Sequence, residues 1–458
     1  MRWGADSSGG MPFVFYSPQD PNQLIGFEKE IVDAISKVLG IPNRFHRANW
    51  ATLVPDLQRN TFDIIVNGLE PTSDRAKVIA FSKPYYIFRQ QLTVRKDETK
   101  IKTLDDCKGR LIGTLDNTAA SRLLESKKLR YRGYDDQSVA YKDLEIGRID
   151  AVLLDYPIAL YFANSPKFKP AGPPFHRGAY IIGMRKQDTL LKHKIDHAID
   201  RIAQDGTLER ILRKWRLWDD IQKELAAGTA KYEITSLDFS WPNAFKRLGM
   251  AAIITIGLAF GAMLIAMLLG LLVALGQLHA SASVRVLCNI YVEFFRGTPI
   301  LVQLLFLYFS LPMVGITIPN WLTAIIGLGL NYAAYESQVY RTALQSIPAG
   351  QWEAAAVLGM GPWLTFRRVI FPQAFRVALP PMTNDFVALF KDTSVAFAIS
   401  VWELATAYRE LASASQKFMV LGALTSLFYL AMSVPLSYLA RRLEARLQDP
   451  HPQDNPKA

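Results

Sequence analysis

Between Gln351 and Pro372 the chain carries Gln-Trp-Glu-Ala-Ala-Ala-Val-Leu-Gly-Met-Gly and then Val369-Ile370-Phe371-Pro372. This is the chemistry of docking. A short helix with the small residues Ala354, Ala355 and Gly359 on one face can lie close in a groove of a partner, and Glu353 supplies a polar contact. The plain alternative is an alanine-rich helix in a loop. No Gly-x-x-x-x-Gly-Lys-Ser/Thr phosphate loop occurs in the sequence. Any phosphate-bond energy therefore enters from another polypeptide. Two cysteines, Cys107 and Cys288, are too few for a metal site or a disulfide framework.

The elements around this stretch divide the chain. At 458 residues at least two domains are expected. Half of the residues are hydrophobic and a fifth are charged, an average over two unlike regions. From Leu248 to Val284 there is no Asp, Glu, Lys or Arg, and roughly 20 apolar residues suffice for a helix to cross a bilayer core. The apolar content lies after Gly249, so the second part is read as membrane and the first as soluble. Five spans are expected, at about 247–275, 286–311, 318–344, 380–400 and 416–440. Asp385, Lys391 and Asp392 interrupt the fourth and must face the protein interior or an interface, because a lone charge at the bilayer centre costs at least about 2.5 kcal/mol.

Residues 1 to about 220 alternate short apolar runs with helical patterns, as α/β domains do. Ile31, Ile35, Val38 and Leu39 form an apolar stripe that Gly40 terminates. Ile64–Val66, Ala151–Leu154 and Ile181–Met184 read as buried strands. Extended crossings near Gln91–Arg95 and Tyr180–Met184 divide the domain into two lobes. The sequence predicts domains at 1–220 and 244–447, a linker at 221–243 and a polar tail at 448–458.

The net charge of +11 is not a nucleic-acid footprint, since no Lys/Arg run interleaves with aromatics. Arg285, Arg367, Arg368, Arg376, Arg441, Arg442 and Arg446 fall on one side of the five-span topology. The loop 311–320 has no Lys or Arg, and the loop 403–416 has only Arg409. The positive-inside rule then puts the Glu353 loop and the C-terminus in the cytoplasm and the N-terminal domain outside. An external domain needs export; the sequence opens at Met1-Arg2-Trp3-Gly4 without a signal pattern, so a cleaved or truncated signal is expected.

Two resemblances follow. The Glu353-Ala354-Ala355, Gly359, Val369–Pro372 stretch resembles the cytoplasmic coupling loop of ABC importer permeases, with Val369 and Phe371 departing conservatively from the family's isoleucine and leucine. Tyr291–Pro299, Ala334–Ser337 and Lys391–Ser394 are similar to amino-acid permeases. Residues 2–218 resemble the extracytoplasmic binding domains of polar amino acid importers. Met11–Phe13, Ile25–Glu28, Thr72–Arg75, Phe81–Tyr86, Lys108-Gly109 and Gly147–Ala151 carry that likeness. The resemblance implies a two-lobed α/β periplasmic-binding-protein-like domain of type II, followed by an all-α membrane domain of the type I importer permease.

An amino acid presents a carboxylate and an ammonium, so its receptor needs a cationic fork and an anion. Arg75 suits the carboxylate through two charge-assisted hydrogen bonds. The resemblance puts Asp155 at the ammonium, Gly68 and Thr118 at added hydrogen bonds, and Phe13 and Trp50 at the aromatic walls. The alternatives are surface charges for Arg75 and Asp155 and core packing for Phe13 and Trp50. Two departures bear on specificity. Asn117-Thr118-Ala119 replaces the family's Gly-Thr-Thr turn, and Glu70 replaces a small polar residue. Glu70 points to a cationic or doubly aminated ligand, with a solvated Glu70 the equal alternative.

In the membrane part, Gly297 and Pro299 permit a break early in the second span. Glu336 is a candidate for a substrate ammonium in the translocation pathway, with a structural salt bridge to Arg341 the equal alternative. The resemblance implies a non-enzymatic importer subunit of the bacterial inner (plasma) membrane for a polar amino acid, cationic or amide-bearing. Its implied partners are an ABC ATPase dimer that binds ATP and Mg, membrane lipid and a second permease half, most simply an identical copy. Two other functions use a similar binding fold. A glutamate-receptor-type channel would interrupt the binding domain with a pore segment, and a dehydratase on the binding-protein fold would gain nothing from the coupling stretch.

Overall fold

The structure, a computed structural model, describes residues 1–7, 10–162, 165–232 and 239–447. The expected tail at 448–458 and part of the expected linker lie outside the described residues. The chain divides into two compact units: Met1–Ser240 with Arg409–Phe418, and Trp241–Tyr408 with the chain from Met419.

The first unit is built on two sheets. One runs in the order Arg44–Arg47, Arg2–Ala5, Ile64–Ile65, Gly183–Arg185, Ile79–Phe81. Its first three strands are parallel, and Gly183–Arg185 is antiparallel to both neighbours. The other runs Phe168–Pro170, Tyr86–Arg95, Ala151–Asp155, Ile112–Leu115, Tyr131–Tyr134, with Phe175–Tyr180 also on Tyr86–Arg95. The chain thus passes from the first lobe to the second at 82–85 and returns at 181–182. The return matches the expected crossing near Tyr180–Met184. The outward one does not lie at Gln91–Arg95, because those residues sit inside the second sheet between Ala151–Asp155 and Phe168–Pro170. A strand flanked on both sides reads as one apolar run, as a crossing would.

The two crossings are tied together. Ser82 N–H donates to the Ile182 carbonyl at 3.0 Å, Tyr85 N–H to the Tyr180 carbonyl at 3.1 Å, and Ile182 N–H to Ser82 Oγ at 2.8 Å. In the helix Phe27–Leu39, Phe27, Ile31, Val32 and Ile35 are buried, while Val38 is exposed. The inward face is therefore centred one position earlier than the expected stripe. Gly40 stops the helix in the left-handed region at φ +66, the conformation glycine adopts without a Cβ clash.

The second unit is helical. Trp241–His279 and Phe418–Arg442 are long and apolar enough to cross a membrane, and a third span results if the pair Ala282–Gly297 and Ile300–Val314 is one broken span. That pair bends by 106°, at the Gly297 and Pro299 that the sequence marks. The break leaves carbonyls without helical partners, and Gln303 Nε2 donates to those of Phe295 and Thr298, at 3.0 Å each. Asn331 Nδ2 adds bonds to the Phe295 carbonyl and Gln303 Oε1, also 3.0 Å each. Irregular backbone at membrane depth is tolerated where protein groups satisfy it in this way.

The remaining long helices are Asn320–Gln345 and Phe371–Asp392. Close approach of Trp241–His279 to Asn320–Gln345 depends on small residues. A Cβ on Gly270 would lie 2.9 Å from the Glu336 Cβ, and one on Gly329 would lie 2.7 Å from the Ile265 Cβ.

Candidate functional site

The cleft of the first unit is assembled from strand ends. Gly68 and Glu70 follow the strand Ile64–Ile65, Thr118 follows Ile112–Leu115, and Asp155 ends Ala151–Asp155. Phe13 comes from the segment before Phe15–Tyr16, and Trp50 opens a short 3-10 turn. One cavity is lined by Phe13, Trp50, Gly68, Glu70, Thr118 and Asp155, together with Asp6, Asn67, Asp135 and Gln137. Six of the seven ligand-site candidates thus meet. The seventh, Arg75, lies behind Trp50, its guanidinium carbon 5.3 Å from the ring centroid.

Neither charge of the expected pair is on the surface. Arg75 is buried, and its Nη1 donates to the Glu70 carbonyl at 2.9 Å. Burial lowers its pKa to about 10, against an opposing pull from Glu70, so it stays charged at neutral pH. Asp155 is buried as well. Gln90 Nε2 donates to its Oδ1 at 2.7 Å, and the Tyr180 hydroxyl donates to its Oδ2. Burial, and secondly the charge of Glu70, pushes its pKa up to about 7, while the two donors oppose the rise. A carboxylate has about four acceptor sites, so Asp155 retains capacity for an ammonium.

Gly68 takes φ +57, and a Cβ there would lie 3.0 Å from Phe13 Cε1. Its N–H is already engaged, donating to Glu28 Oε1 at 2.6 Å. Glu28, fully buried and also bonded by the Tyr85 hydroxyl, is the organiser of this turn. The sequence offers its type but not its reach of 40 residues. Phe13 packs on Phe27 and edge-on to Tyr180, so it serves the core and the cavity wall together.

Asn117 occupies the left-handed region at φ +60, which asparagine tolerates better than most residues. It thereby replaces the turn glycine of the resemblance. The Thr118 hydroxyl donates to the Leu115 carbonyl at 2.8 Å and accepts from Ser121 N–H at 3.3 Å. Ser121 Oγ in turn accepts from Thr118 N–H at 3.1 Å. This reciprocal cap of the helix Ala119–Ser126 is worth about 1 kcal/mol. Glu70 is not solvated. It is buried and forms an ion pair with Arg122, a residue that no sequence motif singled out.

In the second unit, Glu353 and Ala354 are exposed on the helix Ala349–Val357, whereas Ala355 is buried against its own chain. Gly359 ends the helix at φ +72, with open space where a Cβ would be, so conformation rather than room calls for glycine there. Beside it Val357 is 88% exposed, Leu358 78% and Trp363 71%. Glu336 is fully buried, and neither carboxylate oxygen makes a hydrogen bond of normal geometry. No ion pair joins it to Arg341 among the described residues.

Known proteins divide at the same place. The family of bacterial extracellular solute-binding proteins, family 3, matches residues 2–218. The binding-protein-dependent transport system inner membrane component matches residues 266–449. The probable amino-acid ABC transporter permease protein YckA of Bacillus subtilis is 37% identical over 193 residues, 42% of this chain and 84% of that protein. The L-cystine transport system permease protein TcyB of the same organism is 35% identical over 225 residues, 49% of this chain and 94% of that protein. The glutamine transport system permease protein GlnP of Escherichia coli is 34% identical over 195 residues, 42% of this chain and 87% of that protein. The chain belongs to the amino-acid ABC transporter permeases, with a family 3 solute-binding domain fused ahead of the membrane component.

Proposed function

We propose that the chain is the substrate-binding and transmembrane subunit of an ATP-driven importer for a polar amino acid. The observation that supports this reading is the cleft, where the buried Asp155 joins Phe13, Trp50, Gly68 and Thr118 around one cavity, with the buried Arg75 behind Trp50, in a chain that continues into a permease. In this reading Asp155 takes the ammonium, Arg75 provides the field for the carboxylate, and Phe13 and Trp50 pack on the side chain. Relatives named for L-cystine and glutamine transport support the polar class.

ATP is hydrolysed on a separate ATPase dimer, which docks on the exposed face around Glu353, Val357 and Leu358. Large exposed apolar side chains beside polar ones mark protein contacts. The N-terminal domain lies outside and the coupling helix in the cytoplasm, as the arginine distribution favours. Two copies of the chain complete the pathway. Joining trap to pore raises the local trap concentration to roughly the mM range for a short linker. Glu336 contacts the substrate ammonium within the membrane.

The test is uptake of radiolabelled L-glutamine, L-cystine and L-lysine by cells producing the full chain with its ATPase. Uptake of one class, lost when the ATPase is inactivated, is expected. Uptake that continues unchanged without ATPase activity overturns the proposal.

A further inference from the structure

Glu70 leaves its own lobe. It follows the strand Ile64–Ile65 of the first sheet, and Arg75 Nη1 fixes its main-chain carbonyl to that lobe at 2.9 Å. Among the described residues its carboxylate, however, bonds only to the second lobe. Oε1 accepts from Ala119 N–H at 2.8 Å, in the first turn of the helix Ala119–Ser126, and Oε2 pairs with Arg122 Nη2. Arg122 Nη1 is held by the Asn117 carbonyl at 3.2 Å. The pair is dry, with 5% of the Glu70 side chain and 13% of the Arg122 side chain exposed.

Two neutral bonds join the lobes nearby. Gln137 Nε2 donates to the Met11 carbonyl at 2.6 Å, and Trp50 Nε1 reaches the Asp116 carbonyl at 3.4 Å. Against these, a charge-assisted bond and a buried ion pair on one side chain are the stronger tie. Separating the lobes would hydrate Glu70 and Arg122 again, so the pair does not weld them. It sets a balance between open and closed that the protein's own charges control.

We propose that Glu70 and Arg122 form an interlobe latch, in which a carboxylate tethered to the first lobe takes the helix-terminal N–H and the guanidinium of the second. This rests on the reading of the cleft as an amino-acid trap. It assigns Glu70 a positioning role in closure and leaves charge selection to Asp155, since Arg122 balances the Glu70 charge. An incoming carboxylate must then rely on the first lobe, because these second-lobe donors are engaged.

The test uses the full chain in lipid nanodiscs with a Cys288→Ala background and spin labels at Lys37→Cys and Lys127→Cys, exposed positions on the two lobes. Distances are measured by pulsed electron resonance without added amino acid. The short separation should dominate with the pair intact. Glu70→Gln and Arg122→Gln should each move most of the population to a longer separation, and the double variant should go no further than either single one. Exchanging the charges, Glu70→Arg with Arg122→Glu, should restore part of the short population, which a merely misfolded domain would not do. Distributions unchanged by both single substitutions, or effects that simply add, overturn the latch. L-Glutamine and L-lysine are then added to the opened variants. If the variants open but neither amino acid recloses them, the latch stands and the trap reading loses support.

Discussion

The cleft and the coupling helix handle their side chains in opposite ways. In the cleft, Arg75, Glu70, Arg122 and Asp155 are withdrawn from water, and each meets a group from the same chain. Around the coupling helix, Val357, Leu358 and Trp363 are left in the open. A buried charge demands a partner at once, and in the cleft each of these charges finds one within the chain. The exposed apolar side chains at the end of the short helix have no such cover among the described residues of the chain, and the proposed function gives them one in the ATPase. Under the proposed function, capture would then depend on groups inside this chain and energy transfer on groups at its surface.

Breaking the surface half should have the largest effect. Glu353→Lys or Leu358→Asp is expected to reduce uptake to background while leaving amino-acid binding by the same protein within about twofold, as remote sites act independently. Binding measured by titration and uptake in cells separate the two. Loss of both together would erase the contrast between the regions.

Breaking the buried half comes next. Asp155→Asn keeps the shape of the side chain and removes its charge, and it should weaken amino-acid binding by roughly 100-fold, about 3 kcal/mol. The contrast sharpens with pH. Asp155 in the free cleft holds its proton up to about pH 7, owing to burial and Glu70, and it must release that proton to pair with an ammonium. Affinity should therefore be full above pH 7 and fall by about tenfold for each unit below it. Asp155→Asn should flatten this profile. A smaller effect is expected at the turn. Gly68→Ala must hold φ +57 with Phe13 in the way, and a loss of about 1–2 kcal/mol in the thermal stability of the binding domain should follow.

Legibility followed distance along the chain. The Gly40 stop, the break at Gly297 and Pro299 and the short helix that Gly359 ends are local, and each occurs where its residues mark it. The lining of the cavity is legible through resemblance, because Phe13 lies in a recognisable stretch and Gly68, Glu70 and Asp155 lie near one, while Thr118 stands in a turn that departs from the family pattern. What escaped depends on tertiary reach. Glu70 meets Arg122 across 52 residues and Glu28 meets Gly68 across 40, and no periodicity connects them. The outward crossing was misplaced for a related reason, since Leu92 and Val94 are as apolar in a central strand as in a hinge. The solvated alternative for Glu70 failed because the second lobe brings a guanidinium that the neighbouring sequence does not contain.

Capture of an amino acid in the cleft that Asp155 faces is the step on which the proposed function stands. Calorimetric titration of the full chain with L-lysine, L-arginine, L-glutamine and L-glutamate, beside the Asp155→Asn variant, tests it most directly. Saturable binding of at least one of these, weakened about 100-fold by Asp155→Asn, is expected. Binding that is equally tight in Asp155→Asn, or a folded protein that binds none of the four, would contradict it.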